Sequence, residues 1–228
     1  PVDPYTPTYS PYSPRPYELC PDFVRYGGNM QEYLKLYYAM VSQIDANVGR
    51  ILNELERLKI ADQTAVIFSS DHGDMQGSHG MKNKCLPHER SCGVPLIVRI
   101  PWMEQKKLVE TPVSAVDFYP TCMELAGGRS KKKLPGESLL GLIEGKHTEH
   151  RPVFAENHMT SNPWYMMRNE RFKLVVNSER MEPVMLFDLK KDPEEAENIV
   201  SDPAFLQVKQ ELLEELKKEV GDYVYREE

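Results

Sequence analysis

The strongest pattern in the chain is an apolar stripe that runs through residues 30–59. Apolar side chains recur at alternating spacings of four and three residues, at Tyr37, Val41, Ile44, Val48, Ile51, Leu55 and Leu58. This spacing places them on one face of an α-helix, so we predict a helix here that packs on a sheet. The helix leads directly into a short apolar run, as a crossover helix does in a parallel sheet.

Shorter apolar runs predict strands in two parts of the chain. The runs at 65–68 and 96–98 are apolar at successive positions and partly β-branched, which is typical of buried strands in a parallel sheet. From residue 151 onward, strand-like runs alternate with short turns, which predicts a β-meander. The segment 203–221 then predicts a helix with Asp202 as its N-cap and Pro203 at the first helical position.

One more helix is predicted over 114–127, where Ser114 and Asp117 have the spacing of a capping box.

Residues 1–28 are rich in proline and tyrosine, which favours an extended loop. The 228 residues and 40% apolar content correspond to one large domain or one and a half. The pattern as a whole therefore predicts an α/β core followed by a smaller α+β region.

Charge and cysteine spacing exclude several classes of function. The net charge of −7 argues against nucleic acid as the main partner, because phosphate binding needs a basic face. No segment is long and apolar enough to be expected to cross a membrane. The four cysteines do not have zinc-finger spacing. An acidic protein can still bind an anionic substrate, through a local cation and a lysine.

Polar side chains cluster between the two apolar runs of the core. Asp71 and His72 directly follow the first run, where open α/β sheets bind their ligands. Carboxylate oxygen and imidazole nitrogen can both bind a divalent cation, and a later lysine can hold a tetra-oxo anion. His79 and His88 lie on the same stretch and are candidate substrate contacts. The alternatives are that the pair only shapes a turn and that the two later histidines hold the loop.

The segment SSDHGDMQGSHGMKNK, followed by VPLIVRIP, resembles the type I sulfatases of the alkaline phosphatase superfamily, and the resemblance continues through nearly all the chain after residue 29. It implies part of an alkaline-phosphatase-like sheet flanked by helices, followed by a small C-terminal antiparallel sheet with a terminal helix. The resulting division is a loop (1–28), the C-terminal part of the sulfatase core (29–148) and a C-terminal α+β subdomain (149–228).

The resemblance also implies roles for particular residues. Asp71 and His72 would be ligands of the active-site cation, usually calcium, and Lys84 would be the catalytic residue that contacts the sulfate. Histidine by itself favours zinc or manganese over calcium, so the metal identity stays open. The implied substrate is a sulfate ester, foremost a sulfated carbohydrate, and the implied location is extracytoplasmic, whether periplasmic, secreted or lysosomal.

Two elements of the family pattern are not found in the sequence as the resemblance would place them. Sulfatases use a formylglycine made from Cys or Ser in a C/S-x-P-x-R sequence, and the nearest match, Cys85-Leu86-Pro87-His88-Glu89, ends in glutamate. The aspartate pair expected on a first strand has no candidate before Tyr33 except Asp3 and Asp22 in the proline-rich loop. We therefore expect the chain to be the C-terminal half of a larger sulfatase, inactive alone, whose N-terminal part is its partner and carries the formylglycine.

Three other interpretations stay open on the same residues. A phosphodiester or phosphonate monoester hydrolase has a similar Asp-His pair and fold by resemblance. The chain is alternatively an inactive binding module. Another metal hydrolase of the superfamily, such as a phosphomutase, would need more histidine and aspartate ligands than the chain contains.

Overall fold

The computed structural model describes residues 15–16, 29–103, 108–146, 151–159 and 162–224. The predicted loop over 1–28 lies outside the described residues, apart from a two-residue strand, β1 (Arg15–Pro16). The long helix is confirmed as α1 (Met30–Arg57), which begins after Asn29, whose side chain accepts backbone N–H groups of the first turn. None of its residues is buried by the described part of the chain, so the expected packing on a sheet is not observed there.

The two short apolar runs form strands, but not in the predicted direction. Strands β2 (Val66–Ser69) and β4 (Leu96–Arg99) pair antiparallel, with Phe68 opposite Ile97. The prediction that these strands belong to a parallel sheet was wrong for this pair, because a continuous apolar run reflects covered faces, which are common in parallel sheets but do not themselves fix strand direction. The prediction of full burial was also wrong, since Ile97 is 63% exposed among the described residues.

Short elements fill the segments between and after these strands. Strand β3 (Met81–Lys82) pairs antiparallel with β1, and a single helical turn, α2 (Glu89–Cys92), precedes β4. After β4, a 3-10 turn continues into α3 (Phe118–Leu125), and α4 (Leu140–Ile143) follows. The predicted capping box is confirmed, since Ser114 and the Asp117 carboxylate exchange hydrogen bonds with each other's backbone.

The C-terminal region is the predicted meander. Its strands are β5 (Val153–Asn157), β6 (Trp164–Arg168), β7 (Phe172–Asn177) and β8 (Glu182–Asp188), and they pair antiparallel in that order. Helix α5 (Leu206–Val224) follows a 3-10 turn that Asp202 caps, because its Oδ1 accepts the Ala204 N–H at 2.9 Å. The predicted terminal helix is thus confirmed.

This sheet has a core on each of its faces. On one face, Leu174 and Leu186 pack against Leu212 and Leu216 of α5. On the other, Val175, Phe187 and Trp164 pack against Met75, Met81 and Leu86, which lie between β2 and β4. Side chains alternate along a strand, so Lys173 lies on the same face as Val175. The sheet therefore supports, from below, the segment that carries the candidate site residues.

Candidate functional site

Asp71 and His72, called here the Asp–His pair, meet at the end of β2. His72 Nδ1 lies 2.8 Å from the carbonyl oxygen of Gly73, so this nitrogen holds the proton and donates it. In the neutral ring, His72 Nε2 then has a free lone pair, and it lies 3.5 Å from Asp71 Oδ2. Two electron-pair donors that face each other in this way need a cation or a proton between them.

The electrostatics of the pair favour an ionised carboxylate. Partial desolvation raises the pKa of Asp71, but the charge that the His72 ring carries when it is protonated, and the hydrogen bonds from the His72 N–H and the Ser70 hydroxyl, outweigh it. The net effect is a pKa below the ordinary value. The Asp71 side chain is 83% exposed, so an ion from solvent can reach it.

The spacing of the pair is compatible with one shared divalent cation. Two ligands at right angles on calcium lie about 3.3–3.7 Å apart, given its metal–oxygen distances. The observed separation of Oδ2 and Nε2 is 3.5 Å. Among the described residues there is no group of three or more His, Cys, Asp and Glu side chains that could hold a metal. The pair would thus supply two of the about six to eight ligands that calcium takes.

Lys84 lies in a sharply bent backbone that we call the lysine loop (residues 73–88). Its neighbours Asn83 and Cys85 have φ values of 73° and 76°. Four of the seven described non-glycine residues with positive φ fall between 76 and 85. Positive φ is uncommon outside glycine and concentrates at functional segments. The Lys84 side chain is exposed, as a group that meets an anion from solvent must be.

Backbone hydrogen bonds join the Asp–His pair to the rest of the loop. The Gly73 N–H donates to the Ser91 carbonyl of α2, and the Met75 N–H donates to the Asn83 carbonyl, both at 2.8 Å. A side chain at position 73 would collide with the carbonyl group of Arg90. Glycine at position 73 therefore lets the turn that holds the pair lie directly against α2.

Four charged residues form what we call the buried ion cluster: Lys173, Glu89, Glu195 and Arg168. Lys173 is 0% exposed, and its Nζ lies 2.6 Å from Glu89 Oε1, 2.6 Å from Glu195 Oε1 and 2.9 Å from the Pro87 carbonyl oxygen. Glu195 Oε2 accepts the Glu89 N–H at 2.7 Å, and Arg168 Nε lies 3.3 Å from Glu89 Oε1. Burial raises the pKa of Glu195, while Lys173 opposes that rise.

The two later histidines have different surroundings. Their ring centroids are 4.4 Å apart, but His79 is exposed whereas His88 is 2% exposed and lies beside Phe187. Burial, with smaller contributions from His79 and Lys173, lowers the pKa of His88 to about 3, so its ring is neutral at pH 7. This position favours a supporting role for His88 beneath His79, and direct substrate contact by either residue stays a prediction.

Lys173 and Glu195 were not singled out from the sequence. A lysine inside the apolar run FKLVV was an available signal, because strand alternation places it with Val175 on a covered face. Its partners gave no such signal, since Glu195 is 106 residues from Glu89. Such a cluster is visible only in the folded chain.

Sequence comparisons identify the class of protein. A sequence model of the sulfatase family matches residues 4–128, and one described as N-sulphoglucosamine sulphohydrolase, C-terminal, matches residues 77–222. Arylsulfatase K of Gallus gallus is 34% identical over 174 residues, which are 72% of this chain and 32% of that protein.

Structural comparisons agree. A protein solved in complex with its substrate D-glucosamine-2-N,6-O-disulfate superposes with a TM-score of 0.73 at 28% identity, over 85% of this chain and 42% of that one. Phosphonate monoester hydrolase of Agrobacterium radiobacter superposes with a TM-score of 0.68 at 27% identity, over 82% of this chain and 40% of that one. The fold is thus alkaline-phosphatase-like, as predicted.

Each of the two family models covers more than half of the chain. The chain therefore belongs to the sulfatase family. Members of this family generally use a divalent cation and formylglycine. The chain spans about a third of the length of the curated relatives it matches. Among the described residues, no helix has the length and apolar character needed to cross a membrane.

Proposed function

We propose that this chain carries the sulfate-recognition part of an enzyme that hydrolyses sulfate esters, foremost those of sulfated carbohydrates. The observation that carries the proposal is the Asp–His pair, whose facing Oδ2 and Nε2 atoms are 3.5 Å apart. Membership of the sulfatase family supports the reaction class. The carbohydrate class is supported by the structural neighbour that was solved with a glucosamine disulfate as its substrate.

Each candidate residue has a distinct role in this proposal. Asp71 and His72 hold the cation, calcium by preference, through the carboxylate and Nε2. Lys84 is the catalytic residue, because its ammonium group binds a sulfate oxygen and stabilises the negative charge that develops there. His79 contacts the bound substrate from the exposed side of the loop, and His88 supports the His79 ring from beneath.

The cation would polarise the sulfate, and formylglycine would supply the nucleophile. Since the sequence contains no C/S-x-P-x-R segment, we place the formylglycine, and the remaining cation ligands, on an N-terminal part of the complete protein. An extracytoplasmic location for that protein stays a prediction.

The cation site is tested by replacing Asp71 in the complete natural protein. We expect Asp71→Ala to weaken calcium binding by at least about tenfold, since even changes behind a ligand weaken metal sites by that much. Asp62→Ala is the matched control, because Asp62 is an exposed carboxylate just before β2. Calorimetry with calcium, manganese and zinc measures affinity and identifies the metal. Unchanged affinity in Asp71→Ala would refute the ligand assignment.

The reaction is tested with a sulfated sugar and a phosphonate monoester as parallel substrates. We expect the complete protein to prefer the sulfate ester, and Lys84→Ala to lower its kcat/KM by about a hundredfold or more, as loss of an oxyanion contact does. Lys131→Ala, at an exposed lysine of a surface turn, is the control.

A preference for the phosphonate would support the second candidate function. That candidate is favoured by the likeness to the phosphonate monoester hydrolase, at a TM-score of 0.68. Turnover of neither substrate class by the complete protein would support the binding-module interpretation instead.

A further inference from the structure

We propose that the buried ion cluster positions the lysine loop, and that Lys173 is a positioning residue for both Lys84 and the Asp–His pair. The catalytic part of this inference rests on the proposed function, whereas its structural part does not. Three steps of contact lead from the C-terminal sheet to the candidate site.

The first step is that the Lys173 ammonium group extends from a rigid strand. Lys173 lies on β7, which is hydrogen-bonded on both sides, to β6 and to β8. Its neighbours Leu174 and Val175 are 0% exposed and face opposite cores of the sheet. Because both edges and both faces of the strand are held, the position of the Lys173 side chain is set by the sheet.

The second step is that Lys173 and Glu195 bind the residues at the start of α2. The Lys173 ammonium is surrounded by three oxygen atoms, which belong to Pro87, Glu89 and Glu195, all within 2.9 Å. Glu195, which follows β8, also accepts the Glu89 N–H at 2.7 Å and so caps the first turn of α2. Two separate parts of the C-terminal region thus hold one backbone segment, at residues 87–89.

The third step connects this segment to the site. Lys84 is three residues before Pro87, and the intervening Cys85 carbonyl accepts the Trp164 Nε1–H at 3.2 Å, another contact from the sheet. On the other side, the Ser91 carbonyl of α2 accepts the Gly73 N–H at 2.8 Å, next to the Asp–His pair. A displacement of α2 would therefore move the candidate anion contact and the candidate cation ligands together.

The chemistry of the cluster favours positioning over simple stabilisation. Apolar residues of similar volume often stabilise a core as well as a buried ion pair does, but they pack without fixed direction. The short contacts of an ammonium group to three oxygens define one arrangement of the chain. Catalytic groups need this accuracy, since a misplacement of about 1 Å can cost about a hundredfold in rate.

The experiment uses the double variant Lys173→Met, Glu195→Gln in the complete natural protein. Removing both charges together avoids a buried, unpaired Glu195 carboxylate, and Glu89 keeps Arg168 as its partner at 3.3 Å. Arg171→Met is the matched control: it breaks the pair of Arg171 with the buried Asp188 on the same sheet, at 2.8 Å, away from the lysine loop.

Two readouts are compared at a temperature where all the variants are folded. In the double variant we expect amide hydrogen exchange in residues 84–92 to rise at least about tenfold. We expect kcat/KM for the sulfate ester to fall by about ten- to a hundredfold. Exchange in α5 should stay unchanged. In Arg171→Met, we expect both readouts to stay within about twofold of the wild type.

The outcomes separate this inference from the proposed function. Exchange and kcat/KM close to wild type in the folded double variant would overturn the inference, as would equal changes in Arg171→Met. If the wild type hydrolyses no sulfate ester, the proposed function fails, and the exchange comparison still decides the positioning role. If the double variant does not fold, Lys173→Arg replaces it under the same criteria, since it keeps the charge but not the three short contacts.

Discussion

Replacement of Gly73 by alanine tests whether the close approach of two backbone segments sets the geometry of the Asp–His pair. Gly73 directly follows the pair and donates its N–H to the Ser91 carbonyl at 2.8 Å. A Cβ at this position would lie 3.0 Å from the carbonyl oxygen of Gly93 and nearer still to that of Arg90. Both obstacles are backbone atoms of the α2 region, so no side chain can rotate to make room.

The size of the effect follows from this overlap. Restoring ordinary van der Waals separation requires one segment to move by about 1 Å, because carbon contacts are optimal near 3.5–4.0 Å. Overpacking of this kind costs about 1–3 kcal/mol in the free energy of unfolding. A shift of about 1 Å at the pair should lower kcat/KM for a sulfate ester by about a hundredfold. It should also weaken cation binding, because Asp71 and His72 would no longer face each other at 3.5 Å.

Gly49→Ala is the matched control for this substitution. Gly49 lies within α1, and a Cβ there would meet nothing within 4 Å. The same chemical change should therefore stabilise the protein by about 1 kcal/mol through helix propensity, and activity should not change. Calcium calorimetry, steady-state kinetics and urea unfolding of the complete protein measure these quantities. Calcium affinity and kcat/KM within about twofold of wild type in Gly73→Ala would refute the reasoning.

Three further predictions concern stability. Leu216 is 1% exposed between α5 and the sheet, so Leu216→Ala should lose about 2–5 kcal/mol in urea unfolding; a loss below about 1 kcal/mol would contradict this packing. Asp202→Ala should lose about 1 kcal/mol, because it removes the N-cap of the terminal helix; no change would argue against the cap. The pKa of His88 is about 3 in the folded protein, against an ordinary value of 6.5. As the pH falls, the unfolded chain therefore binds a proton at His88 before the folded protein does. The free energy of unfolding should therefore fall by about 1.4 kcal/mol per pH unit below about pH 6.5, and His88→Phe should remove that slope; parallel pH profiles for the two proteins would contradict it.

The local elements were predictable because their signals lie close together in the sequence. The spacing of the apolar residues defined α1, and Asp202-Pro203 marked the start of the terminal helix. The alternation after residue 151 predicted the meander. In each case the pattern that predicts the element repeats within a few residues, so no knowledge of distant contacts was needed.

The candidate site was predictable only in part. The Asp–His pair and Lys84 stood out by motif, and the turn that brings Nε2 and Oδ2 to face each other is local to residues 71–73. His79 and His88 looked alike in the sequence, yet one is exposed and the other is buried beneath it. Burial depends on which distant segments cover a residue, and the sequence of the loop itself does not predict those segments.

By itself the sequence determined the positions of most helices and strands and the family, and it singled out the Asp–His pair and Lys84 as candidate site residues. Only the tertiary structure decided the antiparallel pairing of β2 with β4, the burial of His88 and the contacts of Lys173 with Glu89 and Glu195. The physical reason is the range of the interactions. Periodicity and capping act over a few residues, whereas strand pairing and the enclosure of a charge depend on segments that meet only when the chain folds.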